Sequence, residues 1–157
     1  MTDSGREKFE HSYDDLAVAA LKFMSAQSGE HLVKAFAESR ADDIERKARA
    51  VLAKRSKKTE ALATFLTEQG YAASVEARPH GEELCQHHCP IAHVAAEFPQ
   101  LCEAETEALS RLLDTHVQRL ATIAHGDGVC TTYIPSVGIS NAGIKKKVKT
   151  TAGKARI

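Results

Sequence analysis

The sequence predicts an α+β protein, with N-terminal helices followed by a small β-α-α-β unit built on an antiparallel sheet. Three observations carry that prediction. Apolar residues recur at helical spacing as far as Leu66, the pattern then changes to strict alternation at Ala73, Val75 and Ala77, and a β-branched run from Val129 to Ile134 follows a Gly-rich turn. With 157 residues, 43% of them hydrophobic, the chain can bury one ordinary core and carry a helical extension.

Residues 13–53 read as two helices. In the first, Leu16, Ala20, Phe23 and Met24 share helical spacing, and Ser28-Gly29 stops it. In the second, Val33, Phe36, Ala37, Ala41, Ile44, Ala48, Val51 and Leu52 form an apolar stripe, with Glu38, Arg40, Asp42, Asp43, Glu45 and Arg46 on the solvated side. The stripe suits either an internal core or a second copy of the chain. Lys54 to Lys58 is a basic junction in which Ser56 is the expected N-cap. A third helix carries Leu62, Phe65 and Leu66, and Gly70 stands where a left-handed cap is needed.

Tyr71 to Arg78 is the first expected strand, Pro79-His80-Gly81 a turn, and Glu82 to His87 the returning strand. Cys89-Pro90 then opens a helix, with proline at its first position, that ends at Pro99. Cys102 begins another, with Glu103 and Glu105 in its first turn and Leu109, Leu112 and Leu113 on its buried face. A hairpin follows: Val117–Ala124, the turn His125-Gly126-Asp127-Gly128, and Val129–Ile134.

Composition narrows the function classes. Aromatic residues make up 5% and Trp is absent, which argues against a base-stacking surface. No apolar run approaches the roughly 20 residues of a membrane helix, and the start MTDSGREKFE has no signal-peptide stretch. A reducing, cytoplasmic setting is therefore expected, in which cysteines serve as metal ligands or sensing thiols. The net charge of zero hides an uneven distribution. Lys145, Lys146, Lys147, Lys149, Lys154 and Arg156 lie at the end, leaving residues 1–144 with 15 basic against 21 acidic residues, a net −6. An acidic body grips phosphate poorly, and a basic tail grips it without reading sequence.

The four cysteines, Cys85, Cys89, Cys102 and Cys130, follow the spacing C-x3-C-x12-C-x27-C within the second half of the chain. Soft thiolates select zinc, copper(I) or iron–sulfur clusters. The spacing is neither that of a ferredoxin nor the paired C-x2-C of a zinc ribbon. Histidines are abundant nearby, at His80, His87, His88, His93, His116 and His125, and most read as exposed or hydrogen-bonded side chains. His116, at the end of a helix between Cys102 and Cys130, is the best placed of them to ligate.

The segment from Leu84 to Pro135, with the motifs HCP, EFPQLC and HVQRLATIAHGDGVCTT, resembles the C-terminal sensory domain of the SufR family in its actinobacterial form. SufR proteins repress the SUF operon for iron–sulfur-cluster assembly. The stretch GREKFEHSYDDLAVAALKF (5–23) is similar to that family's region after its DNA-binding module. The resemblance implies an iron–sulfur cluster on Cys89, Cys102 and Cys130, with [4Fe–4S] favoured over [2Fe–2S]. It leaves the fourth ligand open, with Cys85 as first candidate and His116 as second.

The organisation implied is a helical linker and dimerisation region over 1–70, a cluster-binding sensory domain over 71–135, and a basic, disordered tail over 136–157. The expected assembly is a homodimer through the N-terminal helices. The family's winged helix–turn–helix is not found in this sequence, so operator DNA is expected to be met only through that module. No membrane partner, small-molecule substrate or enzymatic activity is expected. Three other readings stay open: a structural zinc site, a thiol enzyme using Cys89 with His116 as base, and four unligated thiols packed in a core.

Overall fold

A computed structural model describes residues 3–136, with side chains from residue 12 onward. The basic tail lies, from residue 137 on, outside the described residues. Five α-helices and four strands run in the order α1 (Asp3–Ser28), α2 (Glu30–Leu52), α3 (Lys58–Glu68), β1 (Ala73–Arg78), β2 (Gly81–Gln86), α4 (Ala92–Glu97), α5 (Gln100–Leu113), β3 (Gln118–Ala121) and β4 (Cys130–Pro135). The strands form one antiparallel sheet ordered β1-β2-β4-β3. The fold is α+β.

Local chemistry sets several boundaries. Gly29, at φ 81°, breaks α1 from α2. Gly70, at φ 94°, ends α3, where its N–H bonds the Thr67 carbonyl at 3.0 Å and the Tyr71 N–H bonds Leu66 at 2.9 Å. That double closure is a Schellman motif, and the positive φ it requires is one glycine adopts freely. Gly81 is needed for another reason. A Cβ there would lie 2.2 Å from the Ile134 carbonyl oxygen, so β4 can approach the β1–β2 turn only past a bare backbone.

Three sequence expectations are corrected. Ser56 does not cap α3; Lys57 occupies that position without a side-chain cap bond, because the helix starts one residue later. Cys89-Pro90 does not start a helix. These residues form a turn closed by the Ala92 N–H on the Cys89 carbonyl at 3.2 Å, and α4 begins at Ala92. The segment from Val117 is not one continuous strand. β3 ends at Ala121, with a register shift between Arg119 and Ala121, and a 3₁₀ turn over Ile123–His125 precedes β4.

Two buried clusters hold the layers together. One joins Leu52, Leu62 and Leu66 to Leu84, Leu109 and Ile134; the other joins Val18, Leu21, Val33 and Ala41 to Val94, Phe98 and Leu101. Both draw on the helices before residue 70 and on the sheet unit after it. The α2 stripe is largely internal core, since Val33, Ala37, Ala41, Ala48 and Leu52 are buried, and α2 packs along α5. On α1, Val18 and Leu21 are buried while Leu16 and Phe23 face solvent.

A surface network clamps α2 to α5. Arg111 reaches Glu45 at 2.8 Å and Asp42 at 3.4 Å, and Arg49 also bonds Glu45. Partial burial would raise the Glu45 pKa, but the bonds from Arg111 and Arg49 outweigh it and hold the carboxyl below its ordinary 4.5. A carboxyl with a depressed folded pKa stabilises the fold above its unfolded pKa and loses that contribution as pH falls through the folded value. Glu45→Gln should therefore lower stability by up to about 1 kcal/mol at pH 7. It should cost nothing once pH has fallen below the folded value, where wild type has lost the same contribution. Urea titrations at both pH values check this, and an equal loss at both would refute it.

Candidate functional site

Even-numbered residues of β2 face the helices: Leu84 and Gln86 are both almost fully buried. Register pairs Gln86 with Cys130, so Cys130 at the start of β4 points to the same face. Its sulfur accepts the Ile123 N–H at 3.2 Å from the 3₁₀ turn. Cys102 lies in the first turn of α5, where backbone N–H groups are free of helical partners. Cys89 lies in the turn before α4, and its sulfur accepts the Ile91 N–H. Three cysteines spread over 42 positions of sequence thus come within electrostatic reach of one another.

Burial pushes the Cys102 thiol up to about 11, and Glu105 adds to the effect. Cys89 is raised by burial too, against the Ile91 N–H, which lowers it, with Glu105 adding to the rise. An activated thiol nucleophile needs the opposite shift. These are thiols that part with a proton readily only when a positive centre takes its place.

Glu105 stands one turn along α5 from Cys102 and is 9% exposed. It accepts the Gln86 amide at 3.3 Å and the Arg119 guanidinium at 3.4 Å. Tyr71, almost fully buried, feels Glu105 and Cys89, and Arg40 of α2 donates to its hydroxyl at 3.4 Å. Burial first, and Glu105 second, hold that phenol protonated. An open cleft of about 340 Å³ brings Cys102, Arg119, Thr122 and His125 to the surface.

The neighbourhood is incompletely satisfied. Among the described residues, the buried polar atoms without a hydrogen-bond partner are Gln86 Oε1, Gln100 Oε1, Arg119 Nε and Thr132 Oγ1. Gln86 pairs with Cys130, Gln100 starts the helix of Cys102, and Arg119 pairs with Thr132 in the sheet. Each orphan costs roughly 1–3 kcal/mol unless something polar meets it. Arg119 Nε and the Thr132 hydroxyl are donors, suited to a sulfide or an anionic cluster edge. As they stand, no three His, Cys, Asp or Glu side chains among the described residues converge tightly enough to hold one metal ion.

Neither sequence candidate for a fourth ligand joins the three. Cys85, though itself buried, is an odd-numbered residue of β2 on the opposite face of the sheet from Gln86, beside Glu76, Glu83 and Arg78. His116 follows the far end of α5; from Cys102 to Leu113 alone the helix rises roughly 16 Å, and His116 is exposed. Of the other histidines, His87 meets the Ser74 hydroxyl at 2.9 Å and His93 reaches Asp15 at 3.5 Å. His80 offers its carbonyl to Tyr133. The sequence reading passed over Gln86, Glu105 and Arg119. The signal for Glu105 was its i,i+3 spacing from Cys102, which places both on one helix face.

The chain matches no protein-family model and no curated protein. No helix among the described residues is long and apolar enough to cross a membrane.

Proposed function

We propose that this chain is the cluster-binding and dimerisation part of a cytoplasmic, iron–sulfur-sensing transcriptional regulator of cluster-assembly genes, of the SufR type. The observation that carries the reading is that Cys89, Cys102 and Cys130, the three cysteines the sequence motifs single out, lie within electrostatic reach of one another. Two of their sulfurs already accept backbone N–H bonds, from Ile91 and Ile123. Hydrogen bonds to sulfur tune and stabilise such centres. The residues present fit the group: three thiols, unpartnered donors on Arg119 and Thr132, and a partly open cleft. When bound, the cluster supplies one-electron redox chemistry and sensitivity to oxidants and iron supply.

The chain's own groups do the rest. Cys130 is buried and Cys89 and Cys102 are half-buried, which limits water at the thiols, and Arg119 offsets the negative charge that their ionisation would bring. Tyr71 and Arg40 link this locus to α2, so an altered cluster would be felt in the N-terminal helices. Zinc is the poorer reading, because one ion needs its ligands drawn within about 2–2.3 Å of a single point. Anaerobic isolation with iron and sulfide quantitation decides the matter. Brown protein with both elements supports the reading, and colourless protein holding zinc overturns it.

Homodimerisation is assigned to α1, because the α2 stripe is already covered. Tyr13, Leu16, Ala20 and Phe23 repeat at alternating three- and four-residue steps on an exposed face, with Tyr13 75% and Phe23 66% exposed. That is the seam spacing of a two-helix coiled coil. Leu16→Asp/Phe23→Asp should give folded monomers by sedimentation, whereas Ile44→Asp, which puts a charge on a half-buried side chain packed against the core, should destabilise the fold itself. Wild-type monomer at micromolar concentration would refute the seam.

The acidic body and the exposed Asp42 and Asp43 on α2 oppose phosphate. The chain alone should therefore bind operator and scrambled duplex equally, and both only at low salt. A tenfold preference for operator in a titration at physiological salt would refute this.

A further inference from the structure

We infer that Glu105 is the fourth ligand of the centre, so that the cluster is held by three thiolates and one carboxylate. The inference rests on the cluster reading above. Its starting point is the exclusion of the two residues that sequence spacing favoured. Cys85 faces away across the pleat of β2, and His116 lies beyond the far end of α5. Of the acidic residues around Cys102, Glu103 and Glu107 are exposed along the cleft, and Glu105 is the buried one. Glu105 is three residues from Cys102 on α5, a spacing that sets Cβ atoms roughly 5–6 Å apart. Its charge bears on both Cys102 and Cys89.

Burial of this carboxylate needs a reason. As the thiols stand, protonated, Arg119 balances this 9% exposed glutamate at 3.4 Å; once they ionise to bind metal, the negative charge gathered here exceeds what Arg119 offsets. A cationic iron core among these groups would balance it. The supports of Glu105 are those of an oriented ligand. Gln86 donates to Oε1 and Arg119 to Oε2, and each oxygen keeps a lone pair free. Gln86, 1% exposed, and Thr132, fully buried, share the sheet face of Cys130, and each carries an unpartnered polar atom. The four donors do not converge on one point, and a polynuclear core does not ask them to, because it spreads its ligands over more than one iron. His125 is the histidine lining the cleft beside Cys102, and it is exposed to solvent.

The test uses the full chain reconstituted anaerobically with ⁵⁷Fe and sulfide, read by Mössbauer and absorption spectroscopy. One iron of the wild type should carry the signature of oxygen ligation. Glu105→Gln, which keeps the shape and the Gln86 contact, should lose that signature and shorten cluster lifetime in air by at least about tenfold, the range seen for disturbed metal sites. Glu105→Cys should retain the cluster, with the distinct iron shifted to match its thiolate-bound neighbours and sulfur-to-iron absorption increased. Circular dichroism checks the fold, and if Glu105→Gln does not fold, Glu105→Cys decides. A Glu105→Gln protein with the wild-type spectrum overturns the assignment, as does loss of the distinct iron in His125→Ala instead. Wild type that takes up no iron and sulfide overturns the cluster reading itself. Iron bound by wild type and lost in Cys102→Ser, with Glu105 silent, overturns only the ligand.

Discussion

Replacing Cys102 by serine should strip the chain of bound iron and sulfide, a loss of more than tenfold relative to wild type after anaerobic reconstitution. Cys102 joins two parts of the centre, standing on the first turn of α5 and feeling both Cys89 and Cys130. A serine hydroxyl there is a poor ligand for iron and would leave the carboxylate of Glu105 with less compensation. Cys89→Ser and Cys130→Ser should behave alike, since each removes one sulfur of the same group. Cys85→Ser and His116→Ala are the matched controls and should keep wild-type iron content, because one lies on the opposite face of the sheet from Gln86 and the other lies past the end of α5. Metal and acid-labile sulfide assays on the five proteins check this. Full iron retention in Cys102→Ser would sink the assignment, and loss of iron in Cys85→Ser would show that the β2 face is misread.

Leu109→Ala should destabilise the apoprotein by about 2–5 kcal/mol, the range for a leucine truncated in a core that cannot collapse around the void. Leu109 is 1% exposed and packs in the cluster that ties α5 to Leu62 and Leu66 of α3 and to Leu84 of β2. Against a total stability of roughly 5–15 kcal/mol for such a domain, that loss is large. The helix it anchors carries both Cys102 and Glu105, so cluster retention should fall with it. Leu120→Ala, 57% exposed on β3, is the control and should stay within about 0.5 kcal/mol of wild type. Urea unfolding of the three proteins gives the numbers, and a Leu109→Ala loss below about 1 kcal/mol would contradict this packing.

Much of the architecture was legible because its causes are local. Gly70 ends α3 through a conformation glycine adopts freely, and alternation at Ala73, Val75 and Ala77 marked β1. The early start assigned to α4 shows the limit of such cues. Proline suits a first helical position and a turn equally, and here the Cys89–Ala92 turn took it. The α2 stripe shows a different limit: periodicity reveals that a face is apolar and is silent on what covers it. Here α5 and its neighbours cover most of it, whereas Tyr13, Leu16 and Phe23 of α1 stay exposed.

By itself the sequence determined the order of elements and, through its motifs, proposed Cys89, Cys102 and Cys130 as ligands. It also held the parity that turns Cys85 away from Leu84 and Gln86, since residues one apart on a strand face opposite ways. Only the tertiary structure decided what stands around those cysteines. The β2–β4 register set Cys130 beside Gln86, and the packing of α5 on the sheet brought Glu105 to Gln86 and Arg119. These are meetings between residues 14 to 44 positions apart. They follow from long-range pairing, in which every strand and helix must already be in place, and no local preference of the chain encodes them.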